Sequence, residues 1–130
     1  MSGDAQLRSP LGRAAGLGSA KEGVAHWWAQ RVTAVALIPL VLWVVISLVA
    51  LTGADRSVVV AWLHAPFPAI VMALLLIAGF YHMCLGIQVV VEDYVHTEWV
   101  KIFALVFNKL AGFALAAAGV FAVLRIAFQG

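Results

Sequence analysis

Three long apolar stretches constrain the fold of this chain more than any other feature of its sequence. They run over Val32–Leu51, Phe67–Val91 and Ile102–Ala127. About 20 apolar residues in a helix cross ~30 Å of hydrocarbon, because each residue rises ~1.5 Å. All three stretches are long enough, and they leave almost no polar face, which argues against a buried soluble core. The sequence therefore predicts an all-α integral membrane protein with transmembrane helices over approximately 27–52, 67–92 and 101–127.

Composition and charge agree with a membrane location. The chain is 65% hydrophobic, whereas soluble domains are about 45–50% apolar. The net charge of +2 does not indicate nucleic-acid binding. Most cations lie before the first helix or after the second, namely Arg8, Arg13, Lys21, Arg31, Lys101 and Lys109, and the others are Arg56 and Arg125. The positive-inside rule then predicts a cytoplasmic N-terminus and an external C-terminus. We expect the membrane to be a bacterial inner membrane.

Residues 1–25 differ in composition from residues 26–130, which form the predicted three-helix domain. The first segment is rich in Gly, Ala and Ser and lacks the apolar core of a secretory signal. We expect it to be a flexible cytoplasmic tail. A mitochondrial transit peptide, and with it the mitochondrial inner membrane, is the alternative, and Asp4 and Glu22 argue against it.

His82 is an ionisable residue within the second apolar stretch, where such residues usually mark function. It lies nine residues before Val91, or ~13 Å from the inner end of the helix. Gly79 and Gly86 share its helical face and leave room for a flat macrocycle. Neutral imidazole is a good ligand for haem iron. The alternative is a packing groove in which His82 is hydrogen-bonded to a neighbouring helix.

A second axial ligand for such a haem is missing from the sequence. His26 and His96 fall at the inner interface and His64 at the outer one. Met83 points to the wrong face of the same helix to bind opposite His82. A six-coordinate haem would therefore need its second ligand from another chain.

Three further residues cluster at the inner side of the membrane. Asp93 lies eleven residues after His82 and shares its face, and Tyr94 follows it. A tyrosine hydroxyl there can donate a hydrogen bond to a carbonyl oxygen, and a carboxylate can orient donors or pass protons. Arg31 could pair with haem propionates. The alternatives are an aromatic-belt residue beside a solvated acid for Tyr94 and Asp93, and a topology signal for Arg31.

These residues together resemble the hydrophobic D-type membrane anchor of succinate dehydrogenase, respiratory complex II. The similarity covers nearly the whole chain. It includes Arg31-Val32-Thr33-Ala34 at the start of helix 1, and His82 followed after ten residues by Asp93-Tyr94. The spacing between the histidine and the Asp-Tyr pair is the specific part, whereas Arg31 alone would be weak.

The resemblance implies one half of a heterodimeric anchor bundle, completed by a cytochrome b-type anchor subunit. The pair would hold one haem b and dock an iron–sulfur subunit and a flavoprotein subunit. The family's axial histidine falls on His82, its quinone-binding tyrosine on Tyr94 with Asp93 beside it, and its propionate-binding arginine on Arg31. Electrons from succinate would then reduce ubiquinone.

Three other interpretations of the sequence remain open. A related fumarate reductase would use the same anchor in the reverse direction. A haem-free structural anchor would need only the packing surfaces. A transporter or channel subunit is disfavoured, because helices 1 and 3 carry almost no polar residues at mid-depth to line a path.

Overall fold

The computed structural model describes residues 18–129 of the chain, and within them every regular element is a helix. Helix α1 spans Gly18–Ala50, α2 spans Arg56–His64, α3 spans Pro66–Tyr94 and α4 spans Glu98–Gln129. Three segments are long and apolar enough to cross a membrane: Gly23–Ala50, Pro66–Tyr94 and Glu98–Gln129. The prediction of an all-α membrane protein with three spanning helices is confirmed.

The first helix begins earlier than the sequence predicted. Residues 18–25 of the predicted tail are helical, and residues 1–17 of that tail lie outside the described residues. Extending an existing helix adds one hydrogen bond for each residue fixed, without a second nucleation step. The long span that follows therefore lets the helix extend back to Gly18.

The connection between α1 and α3 is short and ordered. Gly53 adopts φ +80°, which a side chain would disfavour, and Pro66 is the first residue of α3, where its missing N–H costs nothing. Trp43 of α1 stacks on Trp62 of α2 with ring centroids 5.4 Å apart, and it meets Phe67 of α3 edge-on at 6.0 Å. These aromatic contacts hold α1, α2 and α3 together at the predicted outer end of the bundle.

Helices α3 and α4 pack closely because α4 offers glycines at the contact. A Cβ on Gly112 would overlap Sγ of Cys84, and a Cβ on Gly119 would lie 3.1 Å from Cδ1 of Leu76. The buried Asn108 donates a hydrogen bond of 2.9 Å from Nδ2 to the Cys84 carbonyl. The glycines of α4 therefore allow the two helices to approach closely.

Helix α3 is central, since it packs against both α1 and α4, whereas α1 and α4 barely touch each other. Only Ala69, Leu85 and Val123 are buried hydrophobic residues in the described part of the chain. No residue of the first spanning segment is buried, and only three residues are buried in each of the other two. The three helices thus form an open layer whose faces must be covered by lipid or by other chains.

Candidate functional site

His82 lies within the membrane span of α3, as the sequence predicted. It comes twelve residues before Tyr94, the last residue of the helix, which corresponds to about 18 Å along the axis. Its side chain is half-buried. The other histidines of the described region lie elsewhere along the bundle: His26 near the start of α1, His64 at the end of α2 and His96 between α3 and α4. A second histidine at the depth of His82 is therefore absent from residues 18–129.

The imidazole of His82 contacts α1 through one ring nitrogen. Its Nδ1 lies 2.9 Å from Oγ1 of Thr33. Thr33 is ten residues into the first spanning segment, or about 15 Å, so the two residues meet at similar depth in antiparallel helices. The same hydroxyl lies 2.7 Å from the Ala29 carbonyl oxygen and 3.1 Å from that of Gln30, both on its own helix.

The sequence offered a hydrogen bond from His82 to a neighbouring helix as the alternative to haem ligation, and the structure contains such a bond. It does not exclude ligation, because it occupies Nδ1 and leaves Nε2 for another partner. Sequence reasoning named Thr33 only as part of a motif and gave it no role. Thr33 and Ser47 carry the only hydroxyls of the first apolar stretch, and only Thr33 is near the inner end. Comparing the depth of Thr33 with that of His82 could therefore have identified this pair as a candidate contact from the sequence.

The two glycines beside His82 face different surroundings. A Cβ on Gly86 would meet no atom within 4 Å, so the helix surface there is open. A Cβ on Gly79 would lie 4.0 Å from Cδ2 of Leu37, so this position is next to α1. The open space beside His82 therefore lies on the Gly86 side, toward the C-terminal end of α3. An imidazole whose Nε2 has no hydrogen-bond partner among residues 18–129 and an open helix surface one turn away are compatible with a haem.

Asp93 and Tyr94 end α3 and are both exposed, with 77% of Tyr94 accessible. The helix stops here because Val95 adopts extended backbone angles, with its N–H bonded to the Val91 carbonyl. The structure thus separates Tyr94 from His82 by most of the inner half of the span. A group that contacts both side chains would have to extend along about 18 Å of the helix.

Arg31 is exposed near the predicted inner end of the first span, and its guanidinium carbon lies 5.3 Å from the ring centroid of Trp27. Trp27 in turn meets Trp28 edge-on at 5.0 Å. A cation over an aromatic face is stabilised by the ring quadrupole, and tryptophans are favoured at the membrane interface. Arg31 lies two residues before Thr33, so its backbone is only about 3 Å nearer the inner end. The guanidinium is held against Trp27 on the exposed surface of α1, one helical turn before Arg31 itself.

No group of three or more potential ligands among His, Cys, Asp and Glu could hold a metal ion within residues 18–129. That part of the chain offers one imidazole at mid-span and apolar helix faces with no cover. The fold and its exposed apolar faces together define a class of protein: a small multi-pass membrane protein whose helices bury little of their surface against one another.

The chain belongs to the succinate dehydrogenase/fumarate reductase transmembrane subunit family, whose model matches residues 5–124. It is 36% identical over 118 residues to a succinate dehydrogenase hydrophobic membrane anchor subunit of Paracoccus denitrificans, covering 91% of each chain. It is 33% identical over 120 residues to the protein of that description in Rickettsia bellii, covering 92% of this chain and 88% of the relative. No solved structure shows a significant match.

Proposed function

We propose that this chain is the membrane anchor of a bacterial succinate:quinone oxidoreductase, in which it supplies one axial ligand to haem b and part of a ubiquinone site. The cytochrome b-type anchor would supply the second ligand, and the iron–sulfur and flavoprotein subunits would dock at the inner side. The chain carries no substrate-oxidising centre in this proposal. It contributes geometry, hydrogen bonds and a low-dielectric site, while a bound haem supplies one-electron redox chemistry.

One observation carries the haem proposal: His82 lies at mid-span beside open space at Gly86, with one ring nitrogen bonded to α1. If His82 served only to pack two helices together, side chains of this chain would occupy the space beside it. The open layer of helices also supports the proposal, because the missing half of the bundle is where a second ligand must come from. Arg31 is exposed on the surface of α1, where its guanidinium would pair with a haem propionate beside Trp27.

The quinone part of the proposal rests on the position of Tyr94. An exposed phenol at the end of a spanning helix can reach a hydrophobic ring inside the bilayer edge and remain close to water. Reduction of a quinone to a quinol takes two electrons and two protons. The Tyr94 hydroxyl would donate a hydrogen bond to one carbonyl oxygen, and the Asp93 carboxylate would position the site or relay protons to it.

The relatives also favour succinate oxidation as the physiological direction, since both bear the name of succinate dehydrogenase anchors. A fumarate reductase anchor and a haem-free structural anchor remain the competing functions. The quinone's redox potential distinguishes the first, and an absorption spectrum of the purified complex distinguishes the second.

The experiment that tests haem ligation compares His82→Leu with Met83→Leu in the purified complex. Met83 is adjacent, apolar and 41% exposed, so its replacement controls for a change in the same turn of α3. We expect His82→Leu to lose the haem or its low-spin spectrum and Met83→Leu to retain both. An unchanged low-spin spectrum and midpoint potential in His82→Leu would contradict the proposal.

A second variant tests the open surface itself. Gly86→Leu adds a side chain where this chain has no atom within 4 Å, so the helices described here have no internal reason to move. We expect haem content to fall because the side chain occupies the space assigned to the macrocycle. Normal haem content in Gly86→Leu would place the haem on another face of α3.

A further inference from the structure

The hydroxyl of Thr33 has one proton and three candidate acceptors. The shortest contact, 2.7 Å, is to the Ala29 carbonyl one turn earlier, the usual partner of a threonine hydroxyl inside a helix. The Gln30 carbonyl at 3.1 Å can share that proton. With the proton directed along α1, Oγ1 presents a lone pair to His82, so Nδ1 must be the donor across the 2.9 Å contact.

We propose that Thr33 is a positioning residue that fixes the tautomer and the orientation of His82 for metal binding. An imidazole with its proton on Nδ1 carries its lone pair on Nε2, the nitrogen that faces away from α1. The ring is also held against rotation, since turning it would break the bond between the helices. This inference rests on the proposed function, because it concerns the nitrogen through which His82 would bind haem iron.

The bond also has an electronic consequence. A hydrogen bond accepted from Nδ1–H makes the imidazole a stronger electron donor, and partners of this kind typically contribute 10- to 100-fold to metal affinity. A stronger donor favours the ferric over the ferrous state. Loss of the Thr33 hydroxyl should therefore weaken haem retention and move the midpoint potential to more positive values.

The test uses Thr33→Val, Thr33→Ser and Thr52→Val in the purified complex. Valine keeps the shape of threonine and removes only the hydroxyl, whereas serine keeps the hydroxyl. Thr52→Val is the matched control, because Thr52 makes the same kind of backbone bond, 3.1 Å to the Leu48 carbonyl, and has no histidine partner. The readouts are the rate of haem transfer to an apo-haemoprotein acceptor, the low-spin electron paramagnetic resonance spectrum and the midpoint potential.

We expect Thr33→Val to release haem about 10- to 100-fold more readily and to show a more positive potential. Thr33→Ser should remain close to the unchanged protein, and Thr52→Val should be indistinguishable from it. If Thr33→Val keeps the original haem retention and potential, or if Thr33→Ser is as impaired as Thr33→Val, the role of the hydroxyl is refuted.

A further measurement covers the case in which Thr33→Val does not assemble. Nitrogen-15 spectra of the unchanged, histidine-labelled ferrous complex should show a hydrogen-bonded Nδ1–H that is missing from His82→Leu. Its absence from the unchanged complex would overturn the inference. The proposed function is refuted by a different result. Normal haem in His82→Leu would show that His82 is not the ligand, whereas normal haem in Thr33→Val would refute only the positioning role of Thr33.

Discussion

Replacing Tyr94 with phenylalanine removes one hydroxyl from the end of α3 and leaves the aromatic ring in place. Tyr94 is 77% exposed, so the hydroxyl contributes little to the packing of the described helices. The variant should therefore assemble and insert normally. Any loss of activity then reports on a partner outside this chain, which in our proposal is a quinone carbonyl.

The expected size of the effect follows from the chemistry of that contact. Removing the donor leaves the carbonyl oxygen without its hydrogen bond in a partly desolvated site, at a cost on the order of 1–3 kcal/mol. Such a loss slows the affected step roughly 5- to 150-fold. Succinate oxidation with a soluble artificial acceptor should be unchanged, because that reaction bypasses the quinone.

The assay measures both activities in the same membranes, with Tyr81→Phe as the control. Tyr81 lies on the same helix and is 52% exposed, but it lies near the depth of His82 rather than at the end of the helix. We expect only Tyr94→Phe to lower the ratio of quinone-linked to artificial-acceptor activity. Quinone reduction at the normal rate with normal inhibitor sensitivity would refute the role of Tyr94 and leave it as an interfacial aromatic residue.

Two further predictions concern α1 and α4. Arg31→Leu should lower haem retention by about tenfold and shift the midpoint potential of the haem to more negative values, because a propionate would lose its cation. If the variant changes only the orientation of the chain in the membrane, Arg31 is a topology signal. Gly112→Leu should destabilise the complex by about 1–3 kcal/mol in thermal unfolding, because the new side chain would overlap Cys84. Ala114→Leu, at an exposed position of the same helix, should not, and equal stability of the two variants would contradict the packing of α3 against α4.

The identity and depth of the candidate residues could be predicted because both depend on local quantities. A helix advances by a fixed rise, so counting residues from Val91 was enough to place His82 within the membrane. The helical repeat likewise placed Gly86, four residues after His82, on the same face of the helix as His82. The role of Thr33 could not be predicted in this way, because its contact with His82 joins residues 49 positions apart. The hydrogen bond from Asn108 to Cys84 could not be predicted either, because it joins residues 24 positions apart.

The sequence by itself determined that the chain has three spanning helices and approximately where they begin and end, because a bilayer requires every span to satisfy its own backbone hydrogen bonds within a long apolar segment. The tertiary structure decided which helix is central and how each helix is rotated about its axis. These choices depend on close contacts between distant residues, such as Gly112 against Cys84. Nearly uniform apolar surfaces carry little periodic signal for rotation. For that reason the nitrogen of His82 that faces α1, and the one left for a ligand, became visible only in the packed helices.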